Sequence, residues 1–526
     1  MSKVEQKFFK TAGGMNLAAG ASITSNCQNV FVTGITIGLT ATDFNGSLVQ
    51  TKGFVDTIVS GLSHNGKQKF FKTVGGSNYS FSSGTSIISN CNGCSVAGII
   101  SGPTASDFDN NIINVNGGPN ALFVSRLDNC GHQKFFKTAG HNQSYPKIVY
   151  GNKNTNCIFV GSTLQGTSAI DFNGDMHVLP GNSSNILLAK LDGHGHQKFF
   201  ETAGGLNQEI EFDISANDKR VFLTGDVVVG ANDFNHDPVN VNGLENIFVT
   251  GLDHCGKQKF FKIAGGTGLN NYGKAVSSNC DVVFVTGNID TPIAQDFNGK
   301  TITTKGTIFV AGLDKNGHQK FIQTAGEIVS GDGGGISITD NEQGVFVTGV
   351  VAPGSTDFNG HPLKNLNGSI DIFVAGLTRC GKQKFFRTAG SSDNNDSANN
   401  IVVNDEGIFV TGIIKGTTGI DFNGCPINLQ GNGDIFVAKF DFCGNQQFFL
   451  TAGGTGQDQG IQLVVRDNEV FVTGGIANHV AKDFRHCPIP NVQGNNDIFV
   501  ARLDDLCGKY RSKRTTMTNF PRRRRA

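Results

Sequence analysis

The sequence has no tryptophan, only 4 methionines and only 5 tyrosines, whereas glycine occurs 71 times. Such a composition is typical of a chain with many tight turns, because glycine adopts the backbone conformations that turns require. A net charge of either sign is also absent, since Lys+Arg and Asp+Glu both number 43. The overall charge therefore indicates no particular class of partner.

Long apolar segments are missing too. No run approaches the roughly 20 residues that a membrane-spanning helix requires, and the first ten residues, MSKVEQKFFK, lack the apolar core of a secretory signal. We therefore expect an intracellular protein, cytoplasmic or nuclear, that has no membrane span.

Three common catalytic or cofactor-binding signatures do not occur in the chain: Gly-x-Ser-x-Gly, His-Glu-x-x-His and Gly-x-Gly-x-x-Gly. The stretch NGKT at 298–301 resembles the end of a phosphate-binding loop, but Ala294 stands where that loop requires a glycine. From these observations we predict no catalytic residue, no cofactor and no enzymatic activity.

The twelve cysteines invite a disulfide or zinc interpretation, but their positions favour reduced thiols. Only Cys91 and Cys94 form a Cys-x-x-Cys pair, and no second pair lies at zinc-ribbon spacing. Four cysteines occupy a turn position that Asn65 and Asn316 occupy in sister repeats: Cys130, Cys255, Cys380 and Cys443. Because a residue that alternates with asparagine in a turn serves the turn, we predict no metal site, with zinc as the alternative.

One segment, close to Gln-Lys-Phe-Phe, recurs along the chain at intervals of 61 to 65 residues. Its first residue lies at positions 6, 68, 133, 197, 258, 319, 383 and 446. A repeat of this length indicates a solenoid or a propeller.

Each repeat contains four strand-like pieces rich in Val, Ile, Phe and Thr. A short variable piece such as ASITSNC (21–27) is followed by VFVTG, which occurs at 30–34, 345–349 and 470–474. After a connection of some twenty residues comes a third piece such as IFVAGLD (308–314), and QKFFKTAGG is the fourth. The third and fourth pieces are joined by Asp-x-[Asn/Cys]-Gly, which predicts a tight hairpin between antiparallel neighbours.

Four antiparallel strands repeated eight times predict an all-β fold, an eight-bladed β-propeller of four-stranded blades. The last repeat ends at IFVARLD (498–504) without a good fourth strand, whereas residues 6–14 are a fourth strand that precedes the first repeat. We therefore predict that the N-terminal strand completes the last blade and closes the ring. Residues 1–508 would form the propeller.

The repeat resembles the SBBP-type β-propeller repeat on four features: Val-x-Val-Thr-Gly, a loop with Asp-Phe, Phe-Val-Ala-x-Leu-Asp and a fourth strand ending in Gly-Gly. The resemblance covers residues 6–508 and implies a propeller, but it implies no activity and no functional residue. Two features depart from that family: eight repeats rather than seven, and Asp-Phe-Asn-Gly where Asp-Phe-Pro is usual.

Asp-Phe-Asn-Gly recurs in the connection between the second and third strands, at 43–46, 171–174, 296–299, 357–360 and 421–424. Alternating Asp and Asn oxygens resemble part of a calcium loop, but the six to eight oxygen ligands that calcium takes are not present. We favour a turn whose Phe packs between blades and whose Asp ties the loop, with calcium as the alternative.

The loops between the fourth strand and the next first strand are the least repetitive part of the chain, for example GGSNYSFSSG and GGTGLNNYGK. Three of the five tyrosines lie there: Tyr79, Tyr145 and Tyr272. Because variable loops on a rigid framework often carry binding specificity, they predict a ligand-binding mouth, with tolerated loop variation as the alternative.

Residues 509–526, KYRSKRTTMTNFPRRRRA, carry eight basic and no acidic residues. This composition predicts a disordered basic tail, and such tails bind nucleic acid, act as import signals or contact anionic surfaces. The predicted polyanion-binding residues are Arg511, Lys513, Arg514, Arg522, Arg523, Arg524 and Arg525.

The sequence therefore predicts a non-enzymatic scaffold or binding propeller that has other proteins as partners and that its tail tethers to nucleic acid or another polyanion. A structural component of a large particle would have the same features. The alternative hypothesis is a receptor- or glycan-binding propeller that uses the tyrosine-bearing mouth. An enzyme with a site at the mouth is a third hypothesis, for which the sequence shows no constellation of residues.

Overall fold

The computed structural model is all-β, and no helix occurs among the residues that it describes. It describes residues 4–506 apart from 15, 77–79, 117, 119, 141–145, 153–155, 181–183, 207–211, 269, 280, 328–333, 365, 393–394, 478–479, 491 and 493–494. No helix in this part of the chain is long and apolar enough to cross a membrane.

The strands pair into four-stranded antiparallel units, eight in the described chain, whose strands we call inner, second, third and outer. The inner strands are β2 (Ala18–Ser25), β8 (Ser82–Asn90), β14 (Lys147–Asn152), β20 (Asp213–Ala216), β24 (Tyr272–Ser278), β30 (Gly334–Asn341), β34 (Ser397–Asn404) and β38 (Gln459–Arg466). The second strands are β3 (Asn29–Ile37), β9 (Gly93–Ile100), β15 (Cys157–Gln165), β21 (Arg220–Val228), β25 (Val282–Asn288), β31 (Gly344–Val351), β35 (Gly407–Ile420) and β39 (Glu469–Ile476).

The third strands are β6 (Val55–Ser63), β12 (Ala121–Asp128), β18 (Ser184–Leu191), β22 (Glu245–Asp253), β28 (Ile308–Asp314), β32 (Asp371–Leu377), β36 (Pro426–Phe440) and β40 (Asp497–Asp505). The outer strands of units 1 to 7 are β7 (Gln68–Gly76), β13 (Gln133–Ala139), β19 (Gln197–Leu206), β23 (Gln258–Gly266), β29 (Gln319–Ala325), β33 (Gln383–Ser391) and β37 (Gln446–Ala452). The outer strand of unit 8 is β1 (Val4–Ala12), which pairs with β40. The predicted pairing of the N-terminal strand with IFVARLD is thus confirmed.

The connection between second and third strands is more ordered than the sequence pattern indicated. Four units contain a short hairpin there: β4 (Thr40–Thr42) with β5 (Leu48–Gln50), β10 (Thr104–Ser106) with β11 (Ile112–Asn114), β16 (Ser168–Ile170) with β17 (Met176–Val178), and β26 (Ile293–Gln295) with β27 (Thr301–Thr303). In every unit the connection also pairs with the glycine-rich end of the preceding unit's outer strand, as Ala105 does with Gly76. These bridges join successive units, and Gly13 with Thr42 joins unit 8 to unit 1.

The core of the described chain consists of eight hydrophobic clusters, and each combines residues of two successive units. The outer strand supplies both sides, because the phenylalanine pair of one strand points in opposite directions. Phe8 lies in the cluster between units 8 and 1, whereas Phe9 packs on the cluster between units 7 and 8. Strand β1 therefore packs on both neighbouring units.

Hairpin turns between third and outer strands require glycine for two reasons. Gly131 has φ of 87°, a left-handed conformation that side chains disfavour. A Cβ there would also lie 2.5 Å from the ring of Phe70 in the preceding unit. The same approach recurs between units 8 and 1, where a Cβ on Gly66 would lie 2.8 Å from the Phe8 ring. The predicted hairpins are thus confirmed, and their turns also pack successive units together.

Candidate functional site

A cavity of about 410 Å³ is lined by the inner strands of all eight units. Among the lining residues of each inner strand, one lies at an equivalent place that we call the ring position. The ring positions are Ser22, Ser86, Lys147, Asp213, Ala275, Ser337, Asn400 and Gln462. In six of the units a β-bulge precedes this residue, and in unit 5 it places Lys274 in the wall of the cavity.

Ring-position side chains join neighbouring inner strands through their acceptor atoms. Where the residue has an acceptor, it accepts a hydrogen bond from a backbone N–H of the next unit. The six bonds are Ile87 N to Ser22 Oγ (3.1 Å), Ile148 N to Ser86 Oγ (3.3 Å), Val276 N to Asp213 Oδ2 (3.0 Å), Ile401 N to Ser337 Oγ (3.3 Å), Leu463 N to Asn400 Oδ1 (3.1 Å) and Ile23 N to Gln462 Oε1 (2.7 Å). Lys147 and Ala275 break the series because neither side chain has an acceptor.

The charged side chains that line this cavity all lie on units 3, 4 and 5. Lys147 Nζ lies 3.2 Å from Asp213 Oδ1, and both groups are partly exposed to the cavity. Lys274 Nζ lies 5.7 Å from the centre of the Tyr272 ring, which is a cation–π distance. Among the described residues, the inner strands of three of the eight units therefore carry two cations and one carboxylate, and the other five carry no charged lining residue.

Of the residues predicted from sequence as a mouth, the structure places Tyr272 two residues before Lys274, at the start of β24. Tyr79 and Tyr145 lie outside the described residues, as do all seven predicted tail residues from Arg511 to Arg525. The sequence pattern did not lead us to predict the ring position. Aligning the inner strands by the repeat would have shown Lys147 and Asp213 among the Ser, Asn and Gln residues of sister units.

The Asp-Phe-Asn-Gly loops are structural clamps. Asp43 Oδ1 accepts from the backbone N–H groups of Asn45 and Ser47, at 2.9 and 2.8 Å, and Oδ2 accepts from Gln68 Nε2 at 2.7 Å. Gln68 Oε1 in turn accepts from Phe44 N at 2.8 Å. The same clamp occurs in every unit, and in unit 8 it joins Asp483 to Gln6 at 2.6 Å.

Because both carboxylate oxygens accept from N–H groups, the clamp geometry supports the structural interpretation and not the calcium alternative. Phe44 is buried in the cluster between units 8 and 1, as predicted for this turn. Where glycine is replaced, Asn110, His236 and His486 keep a left-handed φ of 68°, 65° and 60°. Among the described residues no group of three or more His, Cys, Asp or Glu side chains could hold a metal ion.

Cysteines of the hairpin turns, such as Cys130 and Cys443, are exposed, in agreement with their exchange for asparagine. All ten cysteines of the described chain are free thiols. Cys94 differs from the turn cysteines because it is fully buried on β9, where burial raises the pKa of its thiol far above the usual range.

One pair of buried carboxyl groups lies at the interface between units 6 and 7, and a second pair lies at the interface between units 7 and 8. Asp371 and Asp396 both crowd Gly390, where a Cβ would lie 1.9 Å from Asp371 Oδ1 and 3.1 Å from Asp396 Oδ2. Burial, together with repulsion from Asp396, raises the pKa of Asp371 to about 7. Burial raises the pKa of Asp396 to about 6.

Asp434 and Asp458 repeat this arrangement around Gly453, with pKa values that burial raises to about 7 and about 6. The oxygens Asp371 Oδ1 and Asp434 Oδ1 are buried without a hydrogen-bond partner. At the interface between units 4 and 5 the corresponding residues are Asn246 and Asn271, whose amides bond to the same backbone loop.

No family model matches the chain. The curated regulatory protein FlaEY of Caulobacter vibrioides is 29% identical over 144 residues, which are 26% of this chain and 15% of that relative. The chain thus spans only a small part of this relative's length. Among solved structures, Sqt1 from Chaetomium thermophilum is similar with a TM-score of 0.42 and 9% identity, over 90% of this chain and 97% of that chain.

A second similar structure is the exotype rhamnogalacturonan lyase YesX, with a TM-score of 0.32 and 10% identity over 93% of this chain and 90% of that chain. Similarities at these levels carry no conclusion about activity.

Proposed function

We propose that the eight units form a closed eight-bladed β-propeller of the SBBP type whose channel is the cavity between the inner strands. The order of the inner strands supports this arrangement, since each lies beside the next and β38 lies beside β2. The hydrogen bond from Ser22 Oγ to Gln462 Oε1, 2.8 Å long, joins the first and last inner strands. The core cluster between units 8 and 1 supports closure in the same way.

The protein functions as a non-enzymatic binding scaffold. One observation carries this proposal: the clamp residues that recur in every unit hold the framework, whereas each charged residue of the cavity wall occurs in one unit alone. The Asp and Gln side chains of each clamp bond to each other and to backbone N–H groups, so these recurrent groups are engaged in the framework. Lys147, Asp213 and Lys274 have no counterpart in sister units, as expected of a binding site.

The basic tail at 509–526 tethers this scaffold to nucleic acid or another polyanion. Its eight positive charges within eighteen residues support the proposal, since a dense cluster of positive charge binds phosphate backbones by releasing counterions.

Binding to duplex DNA across a salt series tests the tether. The full chain is compared with a chain that ends at Gly508, which retains every described strand. A further variant replaces Arg522, Arg523, Arg524 and Arg525 by Gln, and its matched control neutralises four exposed lysines of the body: Lys219, Lys300, Lys315 and Lys364.

We expect the full chain and the lysine control to bind with a log–log salt slope of about −0.9 for each phosphate neutralised. The truncated chain and the arginine variant lose most of this binding. Equal binding by the full and truncated chains would refute the tether, and the tail would then be a localisation signal or an inert end.

A second candidate function is the receptor- or glycan-binding propeller. The observation in its favour is Tyr272, whose ring contacts Lys274 in the cavity wall. Aromatic rings pack on sugar faces, so a glycan-array signal that Tyr272→Ala abolishes would support this function over the scaffold.

A further inference from the structure

The ring-position bonds determine which hydrogen-bonding atoms remain available to the cavity. The oxygens of Asn400 and Gln462 are already acceptors for the neighbouring strand, so their amide NH₂ groups remain as donors. Ser86 and Ser337 each accept a backbone N–H and keep a hydroxyl hydrogen to donate. Thr85 differs, because its hydroxyl donates to the Pro146 carbonyl oxygen at 2.5 Å.

Asp213 is charged, yet its side-chain oxygens are also engaged as acceptors, as are those of Asn400 and Gln462. Its Oδ2 accepts from Val276 N at 3.0 Å, and its Oδ1 is 3.2 Å from Lys147 Nζ. Both carboxylate oxygens therefore have donors from the protein. The ring-position side chains thus engage their acceptor atoms in bonds to the neighbouring strands. Mainly N–H and O–H donors of the wall remain for a bound solute.

Two ammonium groups stand against one carboxylate in this wall, on three successive units. Lys274 projects from the bulge of β24, where units 6 and 8 have Ile336 and Ile461 and unit 2 has Thr85. Lys147 occupies a ring position, where units 2 and 6 have serine. Neither cation is required by the framework, since sister units build the same strands without one.

We propose that the channel holds a binding site for a small oxyanion, a solute that bears phosphate or several carboxylates, with Lys274 and Lys147 as its cationic contacts. Among its described residues the wall is rich in donors and has two cations against one carboxylate, which favours a ligand whose surface consists of acceptor oxygens. The cavity volume of about 410 Å³ lies within the roughly 300–1,000 Å³ of small-molecule sites. This site rests on the proposed propeller and names the ligand class of its channel.

Calorimetric titration of the full chain with inorganic phosphate, and separately with citrate, tests the site. Substitutions copied from sister units keep the framework intact: Lys274→Ile as in units 6 and 8, Lys147→Ser as in units 2 and 6, and Asp213→Asn as at ring position 400. Lys300→Met is the matched control, because Lys300 is an exposed lysine on a turn outside the cavity.

We expect one saturable site per chain. Lys274→Ile weakens binding at least about tenfold, as loss of a charge-assisted contact does, Lys147→Ser weakens it less, and Lys300→Met leaves it unchanged. Asp213→Asn strengthens binding several-fold, because it removes the one negative charge and retains an acceptor for Val276 N. A variant that merely perturbed folding could not produce that gain.

The relative affinities of phosphate and citrate decide between a phosphate-bearing and a carboxylate-bearing ligand. The proposal is overturned if neither anion saturates a site, if Lys274→Ile binds like the native chain, or if Asp213→Asn weakens binding. Tail-dependent DNA binding that persists in that case would leave the scaffold function standing and remove only the channel ligand.

Discussion

Units 4 and 8 contain the same four strands in the same register, yet only unit 4 has a hairpin between its third and outer strands. In unit 4, Thr250 lies opposite Phe261, and the turn after Asp253 connects the two strands. In unit 8, Ala501 of β40 lies opposite Phe9 of β1, and these strands lie at opposite ends of the described chain. The register is therefore set by side chains and not by the turn.

Unit 8 keeps the contacts of unit 4 and adds charged ones. Arg502 stands where unit 4 has Gly251, and it binds Glu469 at 2.7 Å, Asp504 at 2.7 Å and the backbone oxygen of His64 in unit 1 at 2.6 Å. Glu469 also lies 2.6 Å from His64 Nδ1. The pairing of β1 with β40, the first and last described strands, is thus accompanied by an ion network that joins unit 8 to unit 1.

The largest expected effect comes from the first phenylalanine of the outer strand, which is Phe8 in unit 8 and Phe260 in unit 4. Phe8→Ala and Phe260→Ala each remove a buried ring from a core cluster between units. We expect each to lower the free energy of unfolding by about 3–5 kcal/mol, measured by urea denaturation. If Phe8→Ala costs much less than Phe260→Ala, β1 does not pack as an outer strand.

Arg502→Met tests the ion network that unit 8 has and unit 4 lacks. Removing this cation takes the guanidinium partner from Glu469 and Asp504, so we expect a loss of about 2–3 kcal/mol in unfolding free energy, below the 3–5 kcal/mol of fully buried pairs. Arg485→Met is the control, since Arg485 is exposed and lies 3.6 Å from its nearest carboxylate. Equal effects of the two substitutions would mean that the network does not hold unit 8 to unit 1.

The glutamine clamp should be equally strong in both units. Gln6→Met and Gln258→Met each leave an aspartate oxygen and a phenylalanine N–H without a partner. We expect a loss of about 1–2 kcal/mol in either unit, measured as a shift of the denaturation midpoint. A smaller loss in unit 8 would show that the hairpin strengthens the clamp.

The smallest expected effect is a change in stability with pH, and it compares unit 4 with units 6 and 7. Unit 4 has Asn246 where unit 6 has Asp371, whose pKa burial raises to about 7 from an ordinary value near 4. Since the folded state binds this proton more tightly, the stabilisation is complete below pH 4 and is lost as pH rises through about 7.

We therefore expect Asp371→Asn to leave the melting temperature unchanged at pH 4 and to raise stability at pH 8 by on the order of 1 kcal/mol, after discounting for solvent screening. The corresponding Asp434→Asn should behave alike, and Asn246→Gln is a control without a titratable group. A gain at pH 4 as large as that at pH 8 would contradict the assigned protonation.

Much of this fold could be predicted from the sequence because its determinants are local and recur. Alternating apolar residues specify the long strands, and Asp-x-x-Gly specifies the hairpins, as at Asp128–Gly131. The pairing of β1 with β40 followed from the missing fourth strand of the last repeat.

The rest depends on contacts between residues far apart in sequence. Strands of three residues such as β5 are too short to show a period, and they form because glycine ends of the preceding unit pair with their hairpins. The carboxyl pair Asp371 and Asp396 becomes visible only when the loop brings both to Gly390. Likewise, Lys147 meets Asp213 only because successive inner strands lie side by side.

The proposed channel and the proposed scaffold both require that β1 closes the ring of units, and amide hydrogen exchange tests this closure directly. The amides of residues 4–12 are compared with those of residues 258–266, the outer strand of unit 4. We predict that β1 exchanges as slowly as β23, because both strands pair along their length with a third strand. Exchange of residues 4–12 at the rate of an unstructured peptide, while β23 stays protected, would contradict the closed propeller.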